Sequence, residues 1–293
     1  MTDALDCRQV AIEAALDASS QQQLAEVART ASNLGAAVLM QHYGRLSSIE
    51  SKGRVGDLVT NADLAAEKVV LEYLKEHTPT IAILAEESGS SGTPGSLCWC
   101  VDPLDGTTNF AHGYPFFATS VGLIWKGQPL LGSVAVPFLN ETYWCSPNQG
   151  SFLNDSKIHV SDCSNMRDSL LVTGFAYDRH ELIDNNYAEF CWLTHRCRGV
   201  RRGGAAAVDL AFVAIGRLDG YWERGLAPWD LAAGAALVAC AGGSVGDYKD
   251  SPFDVVNGRI LATSPGLLLP LKQELACVNA LPPKLYGAEV RQS

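Results

Sequence analysis

Two short apolar runs in the first half of the chain end on carboxylates. Ile81 to Ala85 leads into Glu86 and Glu87, and Leu97 to Val101 leads into Asp102, with Asp105 following in "DPLDGTTNF" (102–110). Apolar runs of about five residues bounded by turn formers have strand length. A strand that ends on an acid sets a charge at the edge of the core, where it needs a donor, water or a cation. Such a chain is expected to build a sheet whose strand ends converge on something polar.

The rest of the pattern alternates helices with strands. Residues 21 to 42 carry Leu24, Val27, Ala31, Leu34 and Val38 three or four apart, which predicts a helix burying that face. Residues 45 to 62 read as a polar connection, and Asp63 to His77 as a second helix with Asp63 at its N-cap. A Gly/Ser/Pro-rich loop is expected at 88–96. Strands are expected at 118–125 and 130–138, joined by a turn at Lys126-Gly127-Gln128-Pro129. After Gly150 come "SLLVTGFAY", a helical "NYAEFCWLTHRC", "AAAVDLAFVAIG", "DGYWE" and the small-residue helix "WDLAAGAALVACAGG". The class is α/β, with an N-terminal α+β subdomain over 1–153 and a C-terminal α/β subdomain over 154–293.

With 293 residues, 47% of them hydrophobic and 18% charged, the chain is able to bury a large core. A net charge of -10 argues against a nucleic-acid partner. The one tight basic group is Arg196, Arg198, Arg201 and Arg202, readable as a patch for an anionic partner or as a solvated or paired cluster. Nine cysteines in odd number, without a CxxC pair, read as reduced, mostly packing thiols. No signal-like start and no run of about 18 apolar residues appears, so a soluble cytoplasmic protein without a membrane partner is expected.

Glu86, Asp102 and Asp105, with the Leu104 carbonyl in the turn, offer the oxygen donors that Mg²⁺ prefers. The six histidines form no HxxxH or HExxH spacing, which disfavours zinc. If a helix starts at Gly106-Thr107-Thr108, its first N–H groups favour an anion. A capped turn explains the same residues equally well. In "KGRVGDLVTNAD" (52–63) and "ERGLAPWDLAAG" (223–234) an acid likewise sits just before a helix, and capping alone accounts for each.

Taken together, "DLVTNAD", "EES", "DPLDGTTNF" and "WDLAAG" resemble, in order and over nearly the whole chain, the motifs of the inositol monophosphatase family. That family is part of the lithium-sensitive, Mg-dependent phosphatase superfamily, and "GFAYDR" (174–179) looks like its bacterial and plant branch. The D-x-D-G-T register of haloacid-dehalogenase-type phosphatases does not fit, because Pro103 and Leu104 separate the aspartates. The resemblance implies alternating α-β-α-β-α layers of a sugar-phosphatase fold, a homodimer and lithium inhibition.

It also implies a site. Two or three Mg²⁺ ions would be held by Glu86, Asp102, the Leu104 carbonyl, Asp105 and Asp230. Thr107, paired with Asp63, would orient and deprotonate a water, with Glu86 in the same catalytic group and no covalent phosphoenzyme. Bound metal lowers the pKa of water from about 16 toward 7, and a second ion steadies the leaving alkoxide. Gly106, Thr107 and Thr108 would hold phosphate, while Lys52 either adds positive field or is a solvated loop lysine.

Asp105, Gly204, Ala205, Ala206 and Glu223 match the family's substrate contacts, although Ala205 replaces a threonine and so lacks its hydroxyl. The expected substrate is myo-inositol monophosphate. Fructose 1,6-bisphosphate, L-galactose 1-phosphate, histidinol phosphate and NADP are alternatives on the same site, and "GTTNF" disfavours histidinol phosphate and nucleotide bisphosphates. A non-catalytic interaction protein would lack a ligand or the activating threonine, and all are present. Asp209 and Asp219 read as surface or capping residues, and Trp144, Trp192 and Trp222 as core or interface aromatics.

Overall fold

The computed structural model describes residues 4–53, 58–92, 95–249 and 252–280. Arg54 to Asp57 of the "KGRVGDLVTNAD" segment, and Thr93 and Pro94 of the 88–96 loop, lie outside the described residues.

Helix α1 (Cys7–Glu13) leads into α2 (Ala18–His42), followed by a two-stranded ribbon of β1 (Ile49–Ser51) and β2 (Leu58–Thr60) and then α3 (Asn61–His77). The ribbon falls where a polar connection is expected. The eight-stranded sheet comprises β3 (Ala82–Ala85), β4 (Gly89–Ser91), β5 (Leu97–Asp105), β6 (Ala118–Trp125), β7 (Gln128–Val136), β8 (Glu141–Ser146), β9 (Gly150–Leu153) and β10 (Ser156–Ile158). Its order is β10-β9-β8-β7-β6-β5-β3-β4, antiparallel except for the pair β3 and β5. Part of the expected 88–96 loop is thus a strand, because Gly89 to Ser91 pair with Ile83 to Ala85. The β6–β7 turn needs only Lys126 and Gly127, both at positive φ as a two-residue hairpin of matching twist requires, so Gln128 and Pro129 belong to the strand.

A short helix α4 (Thr107–Ala111) follows β5. The second sheet, ordered β12-β11-β13-β15-β14, is built from β11 (Leu170–Thr173), β12 (Gly199–Arg201), β13 (Gly220–Arg224), β14 (Ser244–Gly246) and β15 (Arg259–Thr263). Helices α5 (Tyr187–Thr194), α6 (Ala206–Ala214), α7 (Pro228–Cys240) and α8 (Leu268–Ala276) complete the chain. Helices α2 and α3 cover one face of the large sheet. Helices α6 and α7 lie between the two sheets, while α5 and α8 lie against the second sheet from its other side. This gives the α-β-α-β-α order expected of the chain. Among the described residues no helix is long and apolar enough to cross a membrane.

The face that α2 buries differs from the expected one. Ala25, Ala28, Ala31, Ser32, Gly35, Ala36 and Leu39 are buried, while Leu24, Val27, Leu34 and Val38 are only half-buried at its flanks. The helix lies so close to the sheet that small residues must face it. Ser32 and Ser133 hydroxyls meet at 2.8 Å across the contact. On the other face α7 approaches as closely, since a Cβ at Gly122 of β6 would stand 2.5 Å from the Ala233 amide nitrogen. Glycine is required there by space, not by φ.

Gly122→Ala therefore overpacks the β6–α7 contact and should lower stability by about 1–3 kcal/mol. A urea titration should show an earlier midpoint at unchanged slope. An unmoved midpoint would mean that α7 does not press on β6.

Candidate active site

The approach to the site begins with an irregularity in β5. Asp102 pairs with Ser120 and Asp105 with Ala118, so three steps on β5 match two on β6. In a regular strand, residues three apart point to opposite faces; one extra residue in a bulge lets both acids serve the same side. Pro103 lacks the N–H that regular pairing would use, and Leu104 turns into an apolar cluster with Phe110 and Phe117. The motif is thus a β-bulge between two aspartates.

Both aspartates line a cavity of about 510 Å³, together with Lys52, Glu86, Leu104, Gly106, Thr107, Thr108, Gly204, Ala205, Ala206, Glu223 and Asp230. Every expected site residue except Asp63 lines it, and Asp63 reaches it through Thr107. Asp63 is not the N-cap of α3. Thr60 caps the helix, and Asp63 sits at the third helical position, closing a capping box by accepting from Thr60 N at 2.9 Å and Thr60 Oγ1 at 2.5 Å. Its other oxygen lies 3.2 Å from Thr107 Oγ1, which is also 3.0 Å from the Leu104 carbonyl. A hydroxyl has one proton, so Thr107 donates to one of the two acceptors at a time. Burial raises the Asp63 carboxyl above its ordinary range, against the pull of the Thr60 bonds.

Asp105 holds the start of α6. The N-cap of that helix is Ala205, whose side chain cannot accept a bond. The Asp105 oxygens take that place from the first sheet, accepting from Ala206 N at 3.0 Å and Ala207 N at 2.8 Å. Burial pushes Asp105 up to about 7 even so, with the α6 amides pulling the other way. Asp230 similarly sits at the start of α7 and accepts from Ala227 N at 2.7 Å. Asp102 accepts from Leu104 N at 3.0 Å. Burial, then the charge of Glu86, raises both Asp102 and Asp230 well above the usual carboxylate range. Lys52 faces the site: its ammonium lies 2.7 Å from Glu86 and 2.6 Å from Glu87.

Gly106 precedes α4 at φ +89°, and a Cβ there would stand 3.0 Å from the Phe116 carbonyl and 3.2 Å from the Ala205 Cβ. Only glycine permits both the turn and this approach. Asn109 fastens the same junction by donating to the Phe116 and Gly203 carbonyls at 2.8 and 3.0 Å. Glu223, on β13, also lines the cavity and accepts from the Tyr221 hydroxyl at 2.6 Å.

The donor set fits a hard divalent cation. Glu86, Asp102, Asp105, Asp230 and the Leu104 carbonyl present oxygen only, and the carboxylates raise one another for want of positive charge. Among the described residues no group of three or more His, Cys, Asp or Glu side chains already forms a metal-holding cluster. The geometry explains this: Glu86 is turned to Lys52, and the aspartates to backbone amides.

Sequence reasoning missed Asp209. Instead of lying at the surface or capping, it is 3% exposed and lines the cavity. Its signal was a single acid inside "AAAVDLAFVAI", a run too apolar for a solvated face. Asp219 does bind a backbone amide, accepting from Leu170 N at 2.7 Å. The arginine cluster disperses: Arg198 pairs with Asp168, Arg196 lies over Trp192, and Arg202 lines the cavity. All nine cysteines are free, and Trp222 is fully buried in the second sheet.

A family model described as "Inositol monophosphatase family" matches residues 20–280. An inositol-1-monophosphatase of Synechocystis sp. is 50% identical, over 88% of this chain and 90% of that protein. The Nus factor SuhB of Pseudomonas aeruginosa is 38% identical, over 82% of this chain and 91% of its own length. The solved inositol monophosphatase of Anabaena (Nostoc) sp. superposes with a TM-score of 0.81 at 46% identity, covering 89% of this chain and 98% of that one.

Burial moves Glu223 from its ordinary 4.5 to about 7, so the folded protein binds this proton more tightly than the unfolded chain. The stability it contributes is fully present below about 4.5 and is lost as pH rises toward 7. In metal-free protein, Glu223→Gln removes that loss. The variant's stability relative to the unmutated protein should rise by on the order of 3 kcal/mol between pH 4.5 and 8, read from denaturation at each pH. A difference that stays flat with pH would refute this.

Proposed function

The chain belongs to the inositol monophosphatase family, and from that premise we propose that it hydrolyses myo-inositol monophosphate to inositol and phosphate with Mg²⁺ as cofactor. The observation carrying this reading is that Glu86, Asp102, Asp105 and Asp230, from separate elements, share one cavity with the Thr107–Asp63 pair. Residue types in that arrangement suit phosphate-ester hydrolysis by water, since no cysteine or histidine lines the cavity as a nucleophile among the described residues.

Glu86, Asp102, Asp105, Asp230 and the Leu104 carbonyl would hold two or three Mg²⁺ ions. Bound there, the metal supplies charge to the phosphate oxygens and an acidified water. The chain's own groups do the rest. Thr107 Oγ1 accepts a water proton as its own proton passes to Asp63 Oδ1, 3.2 Å away. Gly106, Thr107 and Thr108 border the phosphate end, and Lys52 adds positive charge beside Glu86. Gly204, Ala205, Ala206 and Glu223 border the alcohol end. Asp105 fixes the distance between the two ends by holding α6 while bordering both.

Free thiols throughout support a reducing, cytoplasmic setting. Exposed Met40, Phe138 and Leu139 beside a shallow groove support a homodimer. Other sugar phosphates, fructose 1,6-bisphosphate and L-galactose 1-phosphate among them, are the second reading on the same site.

A phosphate-release panel over these substrates and NADP, at graded Mg²⁺, should give the highest kcat/KM for inositol 1-phosphate, with inhibition by tens of millimolar Li⁺. Preference for another substrate would replace the first reading with the second. Two variants then test the roles. Asp230→Asn should weaken Mg²⁺ binding in calorimetry. Thr107→Val should leave that binding unchanged while lowering kcat by about 10²-fold or more. Full activity in Thr107→Val would exclude the Thr107–Asp63 relay.

A further inference from the structure

Several buried acids in this molecule are satisfied by other residues of the chain. Asp63 accepts from Thr60 twice, Asp105 from Ala206 and Ala207, and Glu67 from the Glu87 amide. Asp209 is different. It is 97% buried, yet among the described residues no protein N–H or O–H donates to either oxygen, and the influences on it are burial, Glu223, Asp105 and Arg202. Its carboxylate lies against Gly203, where a Cβ would stand 2.3 Å from Oδ1, and it lines the cavity beside Glu223.

A buried carboxylate that receives no donor from the chain and opens only onto a cavity depends on what the cavity supplies, at a cost of several kcal/mol where nothing compensates it. Asp209 cannot be explained as a cap: it lies on the fourth residue of α6, whose opening amides are already taken by Asp105. Arg202 supplies opposing charge to both Asp209 and Glu223 without a hydrogen bond to either. The side from which a further donor can reach it is the cavity. Alcohol hydroxyls are neutral donors of the right kind, and they are borne by the leaving group and not by the phosphate.

Resting on the phosphatase reading above, we propose that Asp209 is a specificity-determining residue. It accepts a hydrogen bond from a hydroxyl on the non-reacting end of the substrate, next to Glu223, so the site selects polyhydroxylated phosphate monoesters. A substrate whose leaving group has no such hydroxyl leaves Asp209 unsatisfied in the complex and forgoes the selection.

The test compares inositol 1-phosphate with p-nitrophenyl phosphate, whose leaving group has no further hydroxyl, at saturating Mg²⁺. In Asp209→Ala the ratio of kcat/KM for inositol 1-phosphate to that for p-nitrophenyl phosphate should fall about tenfold, equivalent to about 1.4 kcal/mol, with the loss carried in KM. The nearly isosteric Asp209→Asn keeps one acceptor oxygen and should fall about threefold, which guards against a folding defect in the alanine variant. An unchanged ratio in both variants, or equal loss on both substrates, overturns the role of Asp209 and leaves the phosphatase reading standing. An unmutated enzyme that releases phosphate from neither substrate removes that reading and this inference with it.

Discussion

The structure depends on how it keeps several carboxylates in one partly closed space. Three of them sit at helix starts: Asp63 in the first turn of α3, Asp105 against the opening amides of α6, and Asp230 in the first turn of α7. A helix N-terminus favours a nearby negative charge by typically 0.3–1 kcal/mol, rising to about 2 when partly buried. Burying an ion costs several kcal/mol. Helix ends therefore offset part of the cost and leave a remainder, visible in the upward shifts of Asp102, Asp105 and Asp230. A divalent cation among these oxygens is the complement that the arrangement calls for.

Local irregularities aim those charges. The bulge between Asp102 and Asp105 turns two acids of one strand toward one space, and the left-handed Gly106 turns the chain sharply into α4. Because Gly106 lies against Ala205, the start of α4 and the start of α6 share one contact. Asp105 hydrogen-bonds across that contact, so an error in the docking of the second sheet would be felt at the proposed metal ligands.

Much of this was legible in the sequence, because strand-length runs ending in acids and the spacing of the four motifs depend on local order. Glu86, Asp102, Asp105 and Asp230 could be read from it for that reason. What was not legible depended on distances between elements. The buried face of α2 is one such case, because hydrophobicity favours Leu and Val, whereas the sheet approaches closely enough to select Ala, Ser and Gly. Asp63 was placed at the N-cap since the capping box is defined by a reciprocal bond with Thr60, three residues earlier. Asp209 went unassigned because its lack of a partner is a property of the folded cavity and not of its neighbours in sequence.

The division of labour across the two sheets has a consequence for specificity. Asp102, Asp105 and Thr107 belong to the large sheet and the short helix α4 that follows it, while Glu223 and Asp209 belong to β13 and α6. The groups proposed to face the phosphate are thus carried by different elements from those proposed to face the alcohol. Changes in β13 or α6 can alter the reading of the leaving group while the bulge and its carboxylates stay in place. Asp105 limits that freedom, since its carboxylate is bound to α6 and cannot follow a shift of that helix without moving within the proposed metal-ligand set. Substitution of side chains in the second half, rather than movement of its backbone, is the route by which such a site can change substrate and keep its chemistry.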